Sequence, residues 1–179
     1  MLAVNALRAW RSKEQSRGQA LTEFALIAPL FFLLLFAVIQ LGFLLGGQVG
    51  FTNGVRETAR YASTQPTPND PTAMQLLVRD ELLTKQLPKA IPGFRSGNII
   101  SATVSYCYYA NPNNTLAYPS YSRRVTVTAV YRHTLFVPLI SNILDGMDGF
   151  NDGGLRATVK EEMRVENPRI TSFPAGESC

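Results

Sequence analysis

Residues 24–45 are FALIAPLFFLLLFAVIQLGFLL, and no Asp, Glu, Lys, Arg or His occurs from Phe24 through Val55. A helix of this length would be about 33 Å long, at a rise of about 1.5 Å per residue. The hydrocarbon layer of a bilayer is about 30 Å thick. The stretch therefore predicts a membrane-spanning helix, to which we give the bounds 19–46.

The formal net charge of +4 is distributed unevenly along the chain. Residues 1–18 hold four basic side chains and one acid, while the remaining residues are almost balanced. Basic residues that precede a span, with none directly after it, predict a cytoplasmic N-terminus and an exported C-terminal part. Because topology accounts for the excess charge, we do not expect a nucleic-acid partner. A cleaved secretory signal is the alternative, but its apolar region would be shorter, about 7–15 residues, and would end at a small-x-small site.

The junction RGQALTEF, residues 17–24, places a single acid at the mouth of the apolar helix. A carboxylate at mid-membrane costs about 2.5–3.5 kcal/mol, and less near the interface, so Glu23 needs a partner. Cleavage after Gly18 would supply one, because Gln19 would gain an α-amino group that is largely protonated at neutral pH. An ion pair with the amine of the same or the next subunit would favour one axial register. The alternative is an interfacial Glu stabilised by the helix dipole.

This junction resembles the processing signature of type IV prepilins, in which a glycine is followed by a glutamate, an aromatic residue and a long apolar helix. Here these are Gly18, Glu23 and Phe24. The longer string RGQALTEFALIAPL, residues 17–30, resembles the TadE-like pseudopilins of the tight-adherence (Tad, or Flp) pilus system. Weaker similarities extend the resemblance over most of the chain, at Val55–Ala62, Val125–Tyr131 and Ala157–Glu166.

The resemblance implies cleavage between Gly18 and Gln19 by a membrane prepilin peptidase, with Glu23 neutralising the mature N-terminus. It implies a minor pilin-like component that supports pilus biogenesis, adhesion and biofilm formation. Its place would be the bacterial inner membrane, with the C-terminal domain in the periplasm, and incorporation into the extracellular pilus is left open. The implied partners are the lipid bilayer, TadF-like and TadG-like subunits, the Flp major pilin and the assembly platform. A TadF-like label stays open beside the TadE-like one.

Two features of the predicted span concern helix packing. Gly42, Gly46 and Gly50 recur at every fourth residue, and such a ridge of small residues lets another helix approach closely. The alternative is that glycine is simply common in membrane helices. Pro29 removes one backbone donor and can kink the helix.

The fold class expected for the exported part is α+β. Residues 47–66 should extend the helix, with one apolar face made of Phe51, Val55, Ala59 and Ala62. Within the domain 67–179, a second helix should start at Asp70 and Pro71 and end at Pro88 and Pro92. Its apolar positions are Met74, Leu77, Val78 and Leu82.

Alternating apolar and polar residues then predict strands at 98–109, 125–131 and 155–165. These strands should form an antiparallel sheet of about three strands, packed on the helix extension. Residues 111–122 are predicted to form an exposed loop.

The remaining candidates for chemistry are sparse. Cys107 and Cys179 predict a disulfide if this part is exported, with two free thiols as the alternative. His133 is expected at the surface or at a strand edge. Asp145, Asp148 and Asp152 favour a glycine-rich turn over a calcium site, because their spacing does not fit the EF-hand pattern.

A cluster of tyrosines could pack within the strands or form a contact surface: Tyr106, Tyr108, Tyr109, Tyr118 and Tyr121. No nucleophile elbow or phosphate-binding loop occurs in the sequence, so we predict no cofactor, no metal site and no enzymatic activity. Two alternatives to the pilus component stay open. One is an uncleaved, signal-anchored envelope protein with a periplasmic binding domain, and the other, with less support, is an exported enzyme.

Overall fold

The computed structural model describes residues 2–65, 71–110, 121–147, 149–150 and 152–166, and it describes side chains within 18–65, 72–107, 123–138, 140–147, 149–150 and 152–166. The chain divides into two compact units, Met1–Gly42 and Phe43–Cys179. The first helix, α1, spans Leu2–Thr64 and contains Pro29 without interruption.

The first unit exposes its apolar side chains. Leu26 is 81% exposed and Leu30 is 69% exposed. Among the described residues, one helix is long and apolar enough to cross a membrane, and it covers Gly18–Thr64. A helix that is apolar on all sides and unburied suits a lipid environment. This helix is compatible with a single-pass membrane protein.

In the second unit, α1 supplies one wall of the hydrophobic core. Phe51, Val55, Ala59 and Ala62 are fully buried, as the helical spacing predicted. The ring of Phe51 lies 5.7 Å from that of Tyr131, which comes from the sheet. The helix extension and the sheet therefore share one core.

The second helical region consists of three consecutive elements. Helix α2 spans Pro71–Glu81, a π-helical turn covers Leu82–Gln86, and the short helix α3 spans Leu87–Ala90. The region ends just before Pro92, as predicted, but it runs through Pro88, which was wrongly predicted to end it. The wide turn, closed by a bond from the Leu87 N–H to the Leu82 carbonyl, relieves the crowding that the proline ring would cause one turn earlier. The predicted N-cap Asp70 lies outside the described residues.

A 3-10 turn at Ser96–Asn98 leads into a three-stranded sheet. The strands are β1 (Ile99–Ala110), β2 (Tyr121–Thr134) and β3 (Gly154–Arg164), antiparallel in the order β1-β2-β3. The α+β class and the antiparallel sheet are confirmed. The sequence placed the start of β2 four residues too late, and residues 111–120 of the predicted loop lie outside the described residues.

Strand β2 runs antiparallel to α1. At one end, the backbone N–H of Glu166 donates to the carbonyl of Ser63, beside the bond from Val165 N–H to the Arg123 carbonyl. At the other end, His133 packs against Gly47. The connection between β2 and β3, residues 135–153, therefore leaves the sheet at the end nearer to the start of the helix extension.

This connection contains a helix that the sequence analysis missed. Helix α4 spans Pro138–Met147. Proline suits the first position of a helix. Ile140, Ile143, Leu144 and Met147 have helical spacing, which is the signal that could have revealed it.

Candidate assembly site

The predicted cleavage junction forms one exposed turn of α1. The side-chain Nε2 of Gln19 donates to Oε1 of Glu23 over 3.0 Å, and the Thr22 hydroxyl donates to the Gln19 carbonyl over 2.7 Å. Residues four apart lie on the same face of a helix. The residue that would become the new N-terminus and the carboxylate expected to receive it therefore already share one face.

The chemistry available to this turn depends on whether the Gly18–Gln19 bond is intact. In the intact chain, Glu23 accepts a hydrogen bond from a neutral amide. Cleavage would place an ammonium group one turn away, and hydrogen bonds between charged groups are stronger than neutral ones. Phe24, the aromatic residue that follows, is 65% exposed and can contact lipid or another helix.

The glycine ridge of α1 divides into two parts with different surroundings. A Cβ built at Gly42 or Gly46 meets nothing within 4 Å among the described residues. At Gly50 a Cβ would collide with the backbone carbonyl of Ala90, and at Gly54 it would lie 3.0 Å from the Leu87 side chain. Gly50 thus serves the packing of α3 within the domain, while Gly42 and Gly46 have no such intramolecular role.

Gly54 was missed in the sequence, although it continues the same four-residue spacing. Its carbonyl accepts a hydrogen bond of 2.8 Å from the buried Thr58 hydroxyl. The four-residue spacing of Gly42, Gly46 and Gly50 could have identified Gly54 as the next member of the ridge.

Gly18 has the same open surroundings as Gly42 and Gly46. Nothing lies within 4 Å of a Cβ built there, among the described residues. A glycine inside a helix costs about 1 kcal/mol relative to alanine. The described fold therefore gives this glycine no steric role.

The matching segment of a known family begins at this same glycine. Residues 18–60 match the TadE-like protein family. No curated protein and no solved structure matches the chain. The TadE-like segment supports a pilin-like component associated with a Tad pilus and implies involvement with pilus components in general.

The TadE-like match covers less of the chain than the resemblance suggested. It includes the junction from Gly18 onward, the apolar stretch and the first part of the segment Val55–Ala62, and it stops at Arg60. The similarities drawn at Val125–Tyr131 and Ala157–Glu166 lie beyond it and stay predictions.

The other candidate residues belong to the second unit. Cys107 is half of a disulfide. Cys179 lies outside the described residues, so the pairing of these two cysteines stays a prediction. Tyr106 is buried in the core, where burial raises its pKa to about 12. Of the tyrosine cluster, this member packs within the sheet.

His133 is not at the surface, and that expectation was wrong. Only 7% of it is exposed, because it sits between Gly47 and the rings of Phe51 and Tyr131. The alternation of β2 continues through it, so it points inward. Burial lowers the pKa of His133, since a charged imidazolium loses hydration there.

The acidic glycine-rich segment, predicted to be a turn, begins as the last residues of α4, and only its described residues after Met147 are non-helical before β3 starts. The carboxylate of Asp145 accepts backbone N–H groups of Asp152, Gly153 and Gly154 at 3.1–3.2 Å. Asp152 pairs with Arg156 at 2.8 Å. Asp148 lies outside the described residues. The Asp145 carboxylate thus holds the end of α4 to the start of β3, and Asp152 pairs with a residue of β3 itself.

Proposed function

We propose that this chain is a minor pilin-like subunit of a Tad-type pilus assembly machine, matured by a prepilin peptidase that cuts between Gly18 and Gln19. In this proposal the mature protein spans the bacterial inner membrane once, with residues 50–179 in the periplasm. It supports pilus biogenesis, and through it adhesion and biofilm formation. Its partners are the other pilin-like subunits, the major pilin and the assembly platform.

The observation that carries the proposal is the contact between Gln19 and Glu23. This contact lies at the start of the TadE-like segment, on an exposed turn directly before the apolar stretch. Cleavage would convert an amide-to-carboxylate contact into an ammonium-to-carboxylate contact. In apolar surroundings a paired charge is far less costly than an unpaired one. Maturation would therefore switch on a subunit contact that the precursor cannot make.

The open face at Gly42 and Gly46 supports the same function. Two small residues four apart allow backbones of neighbouring helices to approach closely in a membrane. Since the described fold does not fill this face, a sister subunit is the partner that fits it.

The processing step is tested by co-expressing the full chain with an active prepilin peptidase and measuring the intact mass and the N-terminal residue. We expect a chain that begins at Gln19. Gly18→Ala should block or slow cleavage. A product that still begins at Met1 beside a peptidase that cleaves another prepilin would contradict the proposal.

The assembly step is tested with Glu23→Gln, which keeps the shape and removes the charge. This variant should be cleaved but should lose incorporation into the pilus machine, measured by cross-linking to neighbouring subunits. The matched control is Glu57→Gln, an exposed acid of the same helix that pairs with Arg60 at 3.2 Å. Normal assembly of the Glu23 variant would overturn the role of the carboxylate.

A second candidate function, an uncleaved envelope protein with a binding domain, is favoured by one groove. The groove has a volume of about 750 Å³ and lies between α1, α3 and the end of β3. Arg56, Arg60, Lys89 and Arg164 line it, against Glu57 and Glu166, so its excess charge suits an anionic ligand. Retention of the leader in the cleavage experiment would favour this function.

A further inference from the structure

The connection between β2 and β3 exposes large apolar side chains to an unusual degree. Phe136 is 54% exposed, Ile143 62%, Met147 75% and Phe150 48%. These four residues fall within fifteen positions of the chain. Contiguous exposed apolar side chains mark interaction sites more often than scattered ones do.

Helix α4 presents no charged side chain on its outer face. Its one ionisable residue is Asp145, whose carboxylate is engaged by the backbone N–H groups of residues 152–154. Ile140 and Leu144 are half-buried, while Ile143 and Met147 point outward. The uncovered face of the helix is therefore uncharged, with Ile143 and Met147 as its large side chains beside Asn142 and Gly146.

The contacts of β2 place this surface beside the apolar stretch of α1. His133 packs against Gly47, and three residues later the ring of Phe136 lies 5.9 Å from that of Phe43. Phe43 lies inside the apolar stretch 24–45, about 6 Å further along the helix than Gly47. Phe136, two residues before α4 begins, therefore contacts a residue of the predicted span.

We propose that Phe136, α4 and Phe150 insert into the membrane leaflet on the domain side as an interfacial anchor. We choose the lipid surface as the occupant because Phe136, near the start of this connection, contacts Phe43 inside the apolar stretch that is predicted to cross the bilayer. This inference rests on the membrane anchoring in the proposed function. Amphipathic helices of this kind bury their apolar face at the boundary between headgroups and acyl chains.

Two further features fit a membrane interface. The guanidinium of Arg156 lies 3.6 Å from the centre of the Phe150 ring and pairs with Asp152. A long cationic side chain over an aromatic ring keeps its charge at the polar boundary while the ring stays in the apolar layer. Because α4 and the membrane-spanning helix belong to one chain, the effective concentration of α4 at the bilayer is high, and a few apolar side chains are enough for insertion.

The experiment is fluorescence quenching by lipids that carry bromine near the top of the acyl chains. The sequence contains one tryptophan, Trp10, so a Trp10→Phe variant has no tryptophan fluorescence of its own. Single tryptophans are introduced into the full chain at exposed apolar positions and the proteins are reconstituted in vesicles. The test positions are Ile143→Trp and Met147→Trp. Phe31→Trp in the apolar stretch and Leu76→Trp on α2, both exposed, are the positive and negative controls.

We expect brominated lipid to remove most of the fluorescence at positions 143 and 147, as at position 31, and to leave position 76 nearly unchanged. Quenching at 143 and 147 no stronger than at 76, with position 31 quenched, would overturn the anchor and leave the membrane span standing. If positions 143 and 147 are shielded from lipid and also from aqueous acrylamide, a protein partner covers α4 and the proposal is wrong. No quenching at position 31 would defeat the span itself, and the anchor with it.

Discussion

The carbonyl oxygen of Ala90 occupies the space into which any side chain at Gly50 would project. The glycine lies in α1 and the carbonyl closes α3, so this contact fixes the distance between the two helices. The glycines at every fourth residue look alike in the sequence, but their surroundings differ. Gly50 packs against α3, whereas Gly42 and Gly46 have open space where a Cβ would lie.

Gly50→Ala should destabilise the domain. The new methyl group meets backbone that must shift, and overpacking of this kind costs about 1–3 kcal/mol. Part of that cost is offset by the better helix propensity of alanine, worth up to about 1 kcal/mol. The measurement is thermal or denaturant unfolding in detergent. Gly46→Ala, which has open space and the same propensity gain, is the control and should be neutral or slightly stabilising.

Gly42→Leu and Gly46→Leu should leave the stability of the domain unchanged and weaken contact between subunits. Because nothing described lies within 4 Å of either position, unfolding of the domain should change little. Close approach of a neighbouring helix would be blocked, so cross-linking between subunits in the membrane should fall. Unchanged cross-linking in both variants would show that this face is lipid-exposed and not a subunit contact.

His133 should make the domain sensitive to mild acid. Burial lowers the pKa of the folded imidazole below its ordinary value of 6.5, so the unfolded chain takes up the proton first. Stability should therefore be flat above that value and fall as the pH drops through it toward the folded pKa. Melting temperatures across this pH window, compared with those of His133→Asn, isolate the effect. A parallel decline in both proteins would assign the acid sensitivity to other groups.

Asp145→Ala should release the end of α4 from β3. Hydrogen bonds to a charged acceptor contribute about 1.5–3 kcal/mol each, and the variant leaves three backbone N–H groups without this acceptor. Faster hydrogen exchange at residues 152–154, with little change in the centre of the sheet, is the expected result. Asp145→Asn, which keeps one carbonyl oxygen, should show a smaller effect.

The elements predicted well were those with a single strong local pattern. The uncharged run from Phe24 predicted the apolar part of α1, and the alternation of Val125, Val127 and Ala129 predicted the centre of β2. The first pattern is an unbroken apolar run, and the second arises because burial of one face of a strand selects apolar residues at every second position. The core face of α1 from Phe51 to Ala62 was predictable for the same reason.

The failures arose where a distant contact decides the outcome. His133 was predicted at a strand edge because the residues that bury it, Gly47 and Phe51, are distant from it in the sequence. Pro88 looked like a helix end, and only the π turn before it lets the helical region run to Ala90. Spacing alone identified the glycine ridge but could not say which of its members the chain covers itself.

At the junction, the sequence placed Gln19 and Glu23 on one helical turn, and the structure shows them in contact. Whether proteolysis follows depends on a second protein, so no property of this chain alone can decide it. The contact of Phe136 with Phe43 could not be predicted either, because it depends on the direction of β2 relative to α1.

Because Phe51, Val55, Ala59 and Ala62 belong to the same helix as the apolar stretch, the sheet has no complete core without the extension of that helix. A water-soluble version must begin before Phe51, and one that begins after Ala62 would leave the sheet with a bare apolar face. We therefore expect no working domain from the C-terminal portion alone, because the helix extension and the sheet must be present in the same chain to form one core.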